Sequence, residues 1–183
     1  MIIGITGTDG AGKGAAVDYL VRKKGYKHYS SRAEISAEIQ KRGLENSRAN
    51  LREVANDMRK QHGNGVLVSR ALEVVRRQQA KNAVIESIRA VAEVEVLHHA
   101  GGILWAVDAN PEERYRRITG RASASDQVTF EEFMAHEKME MNDPDPNGMQ
   151  KAAVMAAADY TIMNDYSLKA LYKEVNTTLQ NIQ

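Results

Sequence analysis

Seven residues near the start of the chain, Gly7-Thr8-Asp9-Gly10-Ala11-Gly12-Lys13, have the spacing G-x-x-x-x-G-K. Residues of these types at this spacing bind phosphate. Glycines let the backbone wrap closely around an anion, successive N–H groups point inward, and the following helix presents its positive end. Lys13 adds a point charge for the β- and γ-phosphates of a nucleotide such as ATP. The expected nucleotide contacts are Gly7, Asp9, Gly10, Ala11, Gly12, Lys13, Gly14 and Ala15, joined by Asn164 at the end of a later strand. Gly14, Ala15 and Ala16 put no hydroxyl beside the lysine, so Mg²⁺ must be met by carboxylates or through metal-bound water. Glu86 is the first metal candidate because it follows an apolar run. Asp108 is the second, although Asp108-Ala109-Asn110-Pro111 reads equally well as a turn and helix cap. Asp9, inside the loop, is a candidate base or substrate anchor.

Phosphoryl transfer asks for positioning and positive charge more than for covalent chemistry. Arg32 and Arg89 each follow a strand end, where ligands collect in parallel sheets, while Arg52 and Arg59 rest on helix geometry alone. Arg32, Arg59, Arg89 and Glu86 form the expected substrate-binding set, because planar guanidinium suits a monophosphate. Arg114, Arg117 and Arg121 share one helical face, which makes Arg117 and Arg121 candidate catalytic groups beside Lys13 and Asp9. Surface pairs Glu112–Arg116 and Glu113–Arg117 compete with that reading. Arg121, before a small polar stretch, is the expected free arm toward a transferring phosphate. His28, His62, His98, His99 and His136 show no ligand spacing, and Met134, Met139, Met141 and Met149 are expected to pack a lid onto the body.

These residues need elements to hold them. Met1–Ile5 is a strand candidate, and Val17, Leu20 and Val21 mark a helix stopped at Gly25. Tyr26–Tyr29 reads as a second strand. Ser31-Arg32-Ala33-Glu34 has capping-box form and opens a helix with Ile35 and Ile39 inward. Ser47 caps the next helix, and Leu67, Ala71, Leu72 and Val75 line another, so the segment 31–82 is a helical insertion longer than one crossover requires. Strands are expected at Ala83–Ile85, Ile103–Val107 and Tyr160–Met163. Helices are expected around Val91–Leu97, from Asn110-Pro111 to about Gly120, from the capping box Thr129–Glu132, from about Met149, and after Ser167. Five strands alternating with helices predict a three-layer α/β fold with a parallel sheet, and its strand ends should converge on one site.

The chain of 183 residues, 43% apolar and 27% charged, is read as one domain spanning 1–183, with an acceptor-binding insertion at 31–82 and a lid at 117–148. A net charge of +1 does not advertise nucleic-acid or membrane affinity, and with no cysteine there is neither a disulfide framework nor a thiolate zinc site. The first apolar run is too short for a signal peptide or membrane span, so a cytoplasmic location is the expectation. A homodimer is admitted as a candidate assembly.

The order of these parts resembles the nucleoside monophosphate kinase superfamily, within the P-loop NTPase fold. The likeness is closest to adenylate-kinase-related and dephospho-CoA-kinase-like proteins. The carrying motifs are Ser30-Ser31-Arg32, Asn56-Asp57-Met58-Arg59 ahead of Gly63-Asn64-Gly65, Val84-Ile85-Glu86-Ser87-Ile88-Arg89, Glu137-Lys138-Met139-Glu140, and Ala158-Asp159-Tyr160-Thr161-Ile162-Met163-Asn164. The resemblance implies an ATP site at the loop, Mg²⁺, an acceptor pocket over the insertion, and an arginine-bearing lid. Two departures stand out: relatives carry Asp-Gly where this chain has Glu86-Ser87, and a hydroxyl near the lysine where it has Ala15. The expected activity is transfer of the γ-phosphate of ATP to a nucleoside or deoxynucleoside monophosphate. The alternatives are dephospho-CoA kinase-like activity and a non-catalytic ATP-binding regulatory protein.

Overall fold

The computed structural model describes residues 1–120 and 128–182, which leaves Arg121 and the polar stretch after it outside the described residues. The first unit is β1 (Ile2–Gly7), the glycine-rich loop and α1 (Lys13–Lys24). Gly25 ends α1 in the left-handed conformation, with its N–H returned to the Leu20 carbonyl. After β2 (Lys27–Ser30) come three helices without a strand, α2 (Ser31–Lys41), α3 (Arg48–His62) and α4 (Val66–Arg77). Then follow β3 (Ala83–Glu86), α5 (Val91–His99), β4 (Ile103–Asp108) and α6 (Pro111–Thr119). The described chain closes with α7 (Phe130–Met141), α8 (Lys151–Ala156), β5 (Tyr160–Met163) and α9 (Leu168–Asn181).

The strands form one parallel sheet in the order β2-β3-β1-β4-β5. Alternation along the strands sends Ile3, Ile5, Val84, Trp105 and Val107 to one face, against α1 and α9. It sends Ile85 and Leu104 to the other, against α4, α5 and Val154 of α8. A third cluster, with Ile35, Ile39, Leu51, Val54 and Met58 at its centre, belongs to α2, α3 and the start of α4. The expected α/β sheet with helices on both faces is therefore present, and the helices between β2 and β3 carry apolar packing of their own.

Most local signals hold. Ser47, Asn110 and Ser167 accept from Asn50, Glu112 and Ala170 backbone N–H groups, and Thr129 and Glu132 complete a capping box. One cap moves: Ser30, not Ser31, caps α2 by accepting from Ala33 N–H, because β2 runs through Ser30 in register with Glu86. The Ser31 hydroxyl is buried without a hydrogen-bond partner among the described residues. On α6 the expected i,i+4 pairs give way to an Arg116–Glu113 pair at 2.5 Å. Phe133 and Phe130 pack on Tyr115 of α6; of the four methionines expected to seat the lid, Met134, Met141 and Met149 are half-buried and Met139 is exposed.

Candidate active site

The loop after β1 owes its shape to contacts on both sides. Gly7 and Gly10 have φ of 133° and 81°; a Cβ on Gly7 would overlap the Val107 carbonyl, and one on Gly10 would strike the Arg114 carbonyl. From behind, Asn164 Nδ2 donates to the Ala11 carbonyl at 2.7 Å, and Thr8 Oγ1 donates to Asp108 Oδ1 at 2.5 Å. Arg114 Nη1 donates to the Asp9 carbonyl at 3.3 Å. Asp108 and Asn164 thus brace the loop rather than line its open side, and the ends of β4 and β5 lie behind it.

Lys13 lies over the loop, donating from Nζ to the Gly7 and Thr8 carbonyls at 2.9 and 2.7 Å and reaching Asp9 Oδ1 at 3.4 Å. Burial pulls its pKa down to about 8, with Asp9 opposing the shift. Burial alone would raise the pKa of Asp9. The charges of Lys151, Lys13, Arg89 and Arg48 outweigh it and hold the carboxyl well below the usual carboxylate range.

The loop opens on a cavity of about 570 Å³ lined by the cations Lys13, Arg32, Arg48, Arg52, Arg59, Arg89 and Lys151, and by the acids Asp9, Glu137 and Glu140. Ile35, Leu51, Ala55, Ile118 and Phe133 supply apolar wall. The ends of β1, β2 and β3 therefore converge as expected. Arg48 Nη2 lies 2.8 Å from Glu140 Oε1 and 3.4 Å from Asp9 Oδ2, while Lys151 Nζ lies 2.7 Å from Glu140 Oε2 and 3.4 Å from Asp9 Oδ1. Arg89 Nη1 reaches Glu140 Oε2 at 3.5 Å. Ser87, at the cavity wall, is a non-glycine residue with φ of 69°.

The expected substrate arginines are placed unequally. Arg32 is exposed and lines the cavity. Arg52 pairs with the buried Asp143 at 2.7 Å. Arg59 is 2% exposed and holds Glu93 Oε1 through Nε at 3.2 Å and Nη2 at 3.0 Å. The second Glu93 oxygen accepts from the Arg89 and Ala90 N–H groups at 2.7 and 3.1 Å, so Arg59 secures the chain after β3 as well as the cavity wall. Glu86 turns away from the cavity. Its Oε1 meets His28 Nε2 at 3.3 Å, and that hydrogen bond, with burial opposing it and Ser30 assisting, lowers the Glu86 pKa and raises that of His28. Arg117 lies outside the cavity lining and donates from Nη2 to the Asn164 carbonyl at 2.8 Å.

Glu86 and Asp108 do not meet, and among the described residues no three His, Cys, Asp or Glu side chains gather as a metal-ligand set. The residues present fit a polyphosphate better than a directly ligated Mg²⁺. The sequence reading missed Lys151, Arg48 and Glu93. Lys151 is the lone charge in Lys-Ala-Ala-Val-Met-Ala-Ala-Ala, a pattern that could have drawn attention to it. Among the described residues no helix is long and apolar enough to cross a membrane.

A family profile described as an AAA domain matches residues 3–143. A UPF0200 protein of Pyrococcus abyssi is 30% identical over 189 aligned residues, covering 100% of this chain and 97% of that one. A UPF0200 protein of Hyperthermus butylicus is 28% identical, covering 100% and 95%. Among solved structures, TT1252 from Thermus thermophilus has a TM-score of 0.61 at 24% identity, covering 100% of this chain and 98% of its own. A shikimate kinase from Bacteroides thetaiotaomicron has a TM-score of 0.64 at 15% identity, covering 98% of both chains. The five-stranded parallel sheet and its flanking helices match a P-loop NTPase-like α/β fold. With its loop inside the matched segment and a 30% identical relative aligned along the entire chain, the protein belongs to the AAA-domain family and to that of the UPF0200 proteins.

Proposed function

We propose that the protein is an ATP-dependent phosphotransferase that moves the γ-phosphoryl group of ATP to the phosphate of a nucleoside or deoxynucleoside monophosphate. The observation that carries this reading is that the phosphate loop and a wall of guanidinium and ammonium groups face one cavity, with Lys13 at their junction. In the reaction the bond from the γ-phosphorus to the β,γ-bridging oxygen breaks. A bond forms to an acceptor phosphate oxygen, and ADP leaves with the electron pair. Lys13 would hold the β- and γ-phosphates and Arg32 and Arg89 the acceptor, while α2–α4 shape the acceptor pocket. The segment 117–148, with α7 at its core, acts as the lid.

Asp9 bears on the choice of acceptor. A phosphate dianion attacks without losing a proton, whereas the hydroxyl of dephospho-CoA or of shikimate needs a base, the place Asp9 on the cavity wall would have to fill. The test is an ADP-release assay with Mg²⁺ present across nucleoside monophosphates, dephospho-CoA and shikimate. Turnover with one or more monophosphates, lost in Lys13→Met, is expected; no turnover with any of them at high enzyme would sink the proposal. A second reading, an ATP-binding protein without transfer, is motivated by Gly14-Ala15-Ala16 and predicts tight ATP binding with no ADP released.

A further inference from the structure

Lys151 is 1% exposed and lines the cavity. A buried ammonium is costly unless paired, and both of its carboxylate partners line the same cavity: Glu140 Oε2 at 2.7 Å and Asp9 Oδ1 at 3.4 Å. Asp9 Oδ1 also lies 3.4 Å from Lys13 Nζ, so one oxygen separates the two ammonium groups, and they stand at most twice that distance apart. Around Glu140, Arg48, Arg89 and Lys151 converge from three places in the chain, at 2.8, 3.5 and 2.7 Å. Set against the two carboxylates Glu140 and Asp9, the cations Lys13, Lys151 and Arg89 alone already leave positive charge in excess. A phosphomonoester, with a charge of about −1.5 to −2 and three terminal oxygens, matches them better.

We propose that Lys151 contacts the acceptor's phosphate in an anion site completed by Arg48 and Arg89, and that the Glu140 carboxylate is the resident anion this phosphate displaces. The identity of the acceptor rests on the phosphotransferase reading; the anion site does not. Lys151 then stands across Asp9 from Lys13, with one ammonium serving the nucleotide and the other the acceptor. Glu140 keeps the site neutralised until an anion of higher charge arrives.

The probe is inorganic phosphate, titrated by calorimetry into the full chain saturated with β,γ-methylene ATP. Lys151→Met should weaken phosphate binding roughly ten- to hundredfold, the range for one charged hydrogen bond. Affinity for the ATP analogue should stay nearly constant, Lys151→Arg should restore most of the loss, and Glu140→Gln should tighten phosphate. Unchanged phosphate affinity in Lys151→Met, or weaker phosphate binding in Glu140→Gln, overturns the site. So does an equal loss of phosphate and analogue binding that Lys151→Arg fails to rescue, since that marks a folding role. The expected phosphate pattern without turnover on any acceptor defeats the phosphotransferase reading and leaves the anion site standing.

Discussion

A lysine ammonium whose pKa is about 8 gives up half its protons at that pH. Phosphates placed beside Lys13 favour its charged form and raise the pKa again. ATP binding should therefore take up protons above the free protein's pKa of about 8, and affinity should be highest below that pH and decline as pH rises through it. Calorimetry at about pH 8.5 in two buffers of different ionisation heat measures the uptake directly, and none at all would mean that Lys13 is fully charged before ATP arrives or does not meet the phosphates. Ser87 offers a second test. An L-residue at its φ of 69° costs about 1–2 kcal/mol, more than the extra chain entropy glycine carries. Ser87→Gly should thus stabilise the fold by about 0.5–1 kcal/mol in urea unfolding. The same geometry suits the glycine that the resemblance leads one to expect at this position. That the backbone bends this way after β3 could be suspected from the resemblance, but the strain on Ser87 could not be read without the dihedral angle.

Elements announce themselves through neighbours in sequence. The phosphate loop, the Thr129 box and the caps at Asn110, Ser47 and Ser167 all use residues within a few positions of each other, and all were legible. The acceptor side of the cavity depends on pairs far apart in the chain, such as Arg59 with Glu93, Arg52 with Asp143 and Lys151 with Asp9. No local pattern marks these, so arginines chosen for substrate also turned out to hold the framework. Glu93 ties α3 to the turn that opens α5 and carries Arg89. Glu93→Ala would leave the Arg59 charge buried without its carboxylate and should cost about 3–5 kcal/mol, read from urea midpoints. A loss below about 1 kcal/mol would mean that Arg59 is solvated and available to ligand after all.

At the scale of the molecule, the sheet order puts β1 at the centre, so the phosphate loop rises between β3 with its Arg89 and β4 with its Asp108. The alternation of five apolar strands with helices made the parallel sheet readable. Which strand ends face the cavity followed only from the loop closing over β4 and β5. Ligand that binds the native state alone stabilises it by mass action. ATP at a hundredfold excess over its Kd should add about 2.7 kcal/mol and raise Tm by roughly 5–10 °C for a chain of this length. Lys13→Met should abolish most of that rise in a thermal scan. Val107 and Arg114 carbonyls press on Gly7 and Gly10 from within the protein itself, so the demand for glycine there comes from the sheet and α6 and not from nucleotide. A lineage of such proteins that abandoned ATP would go on selecting the glycines, and the first letter of the motif free to drift would be the lysine.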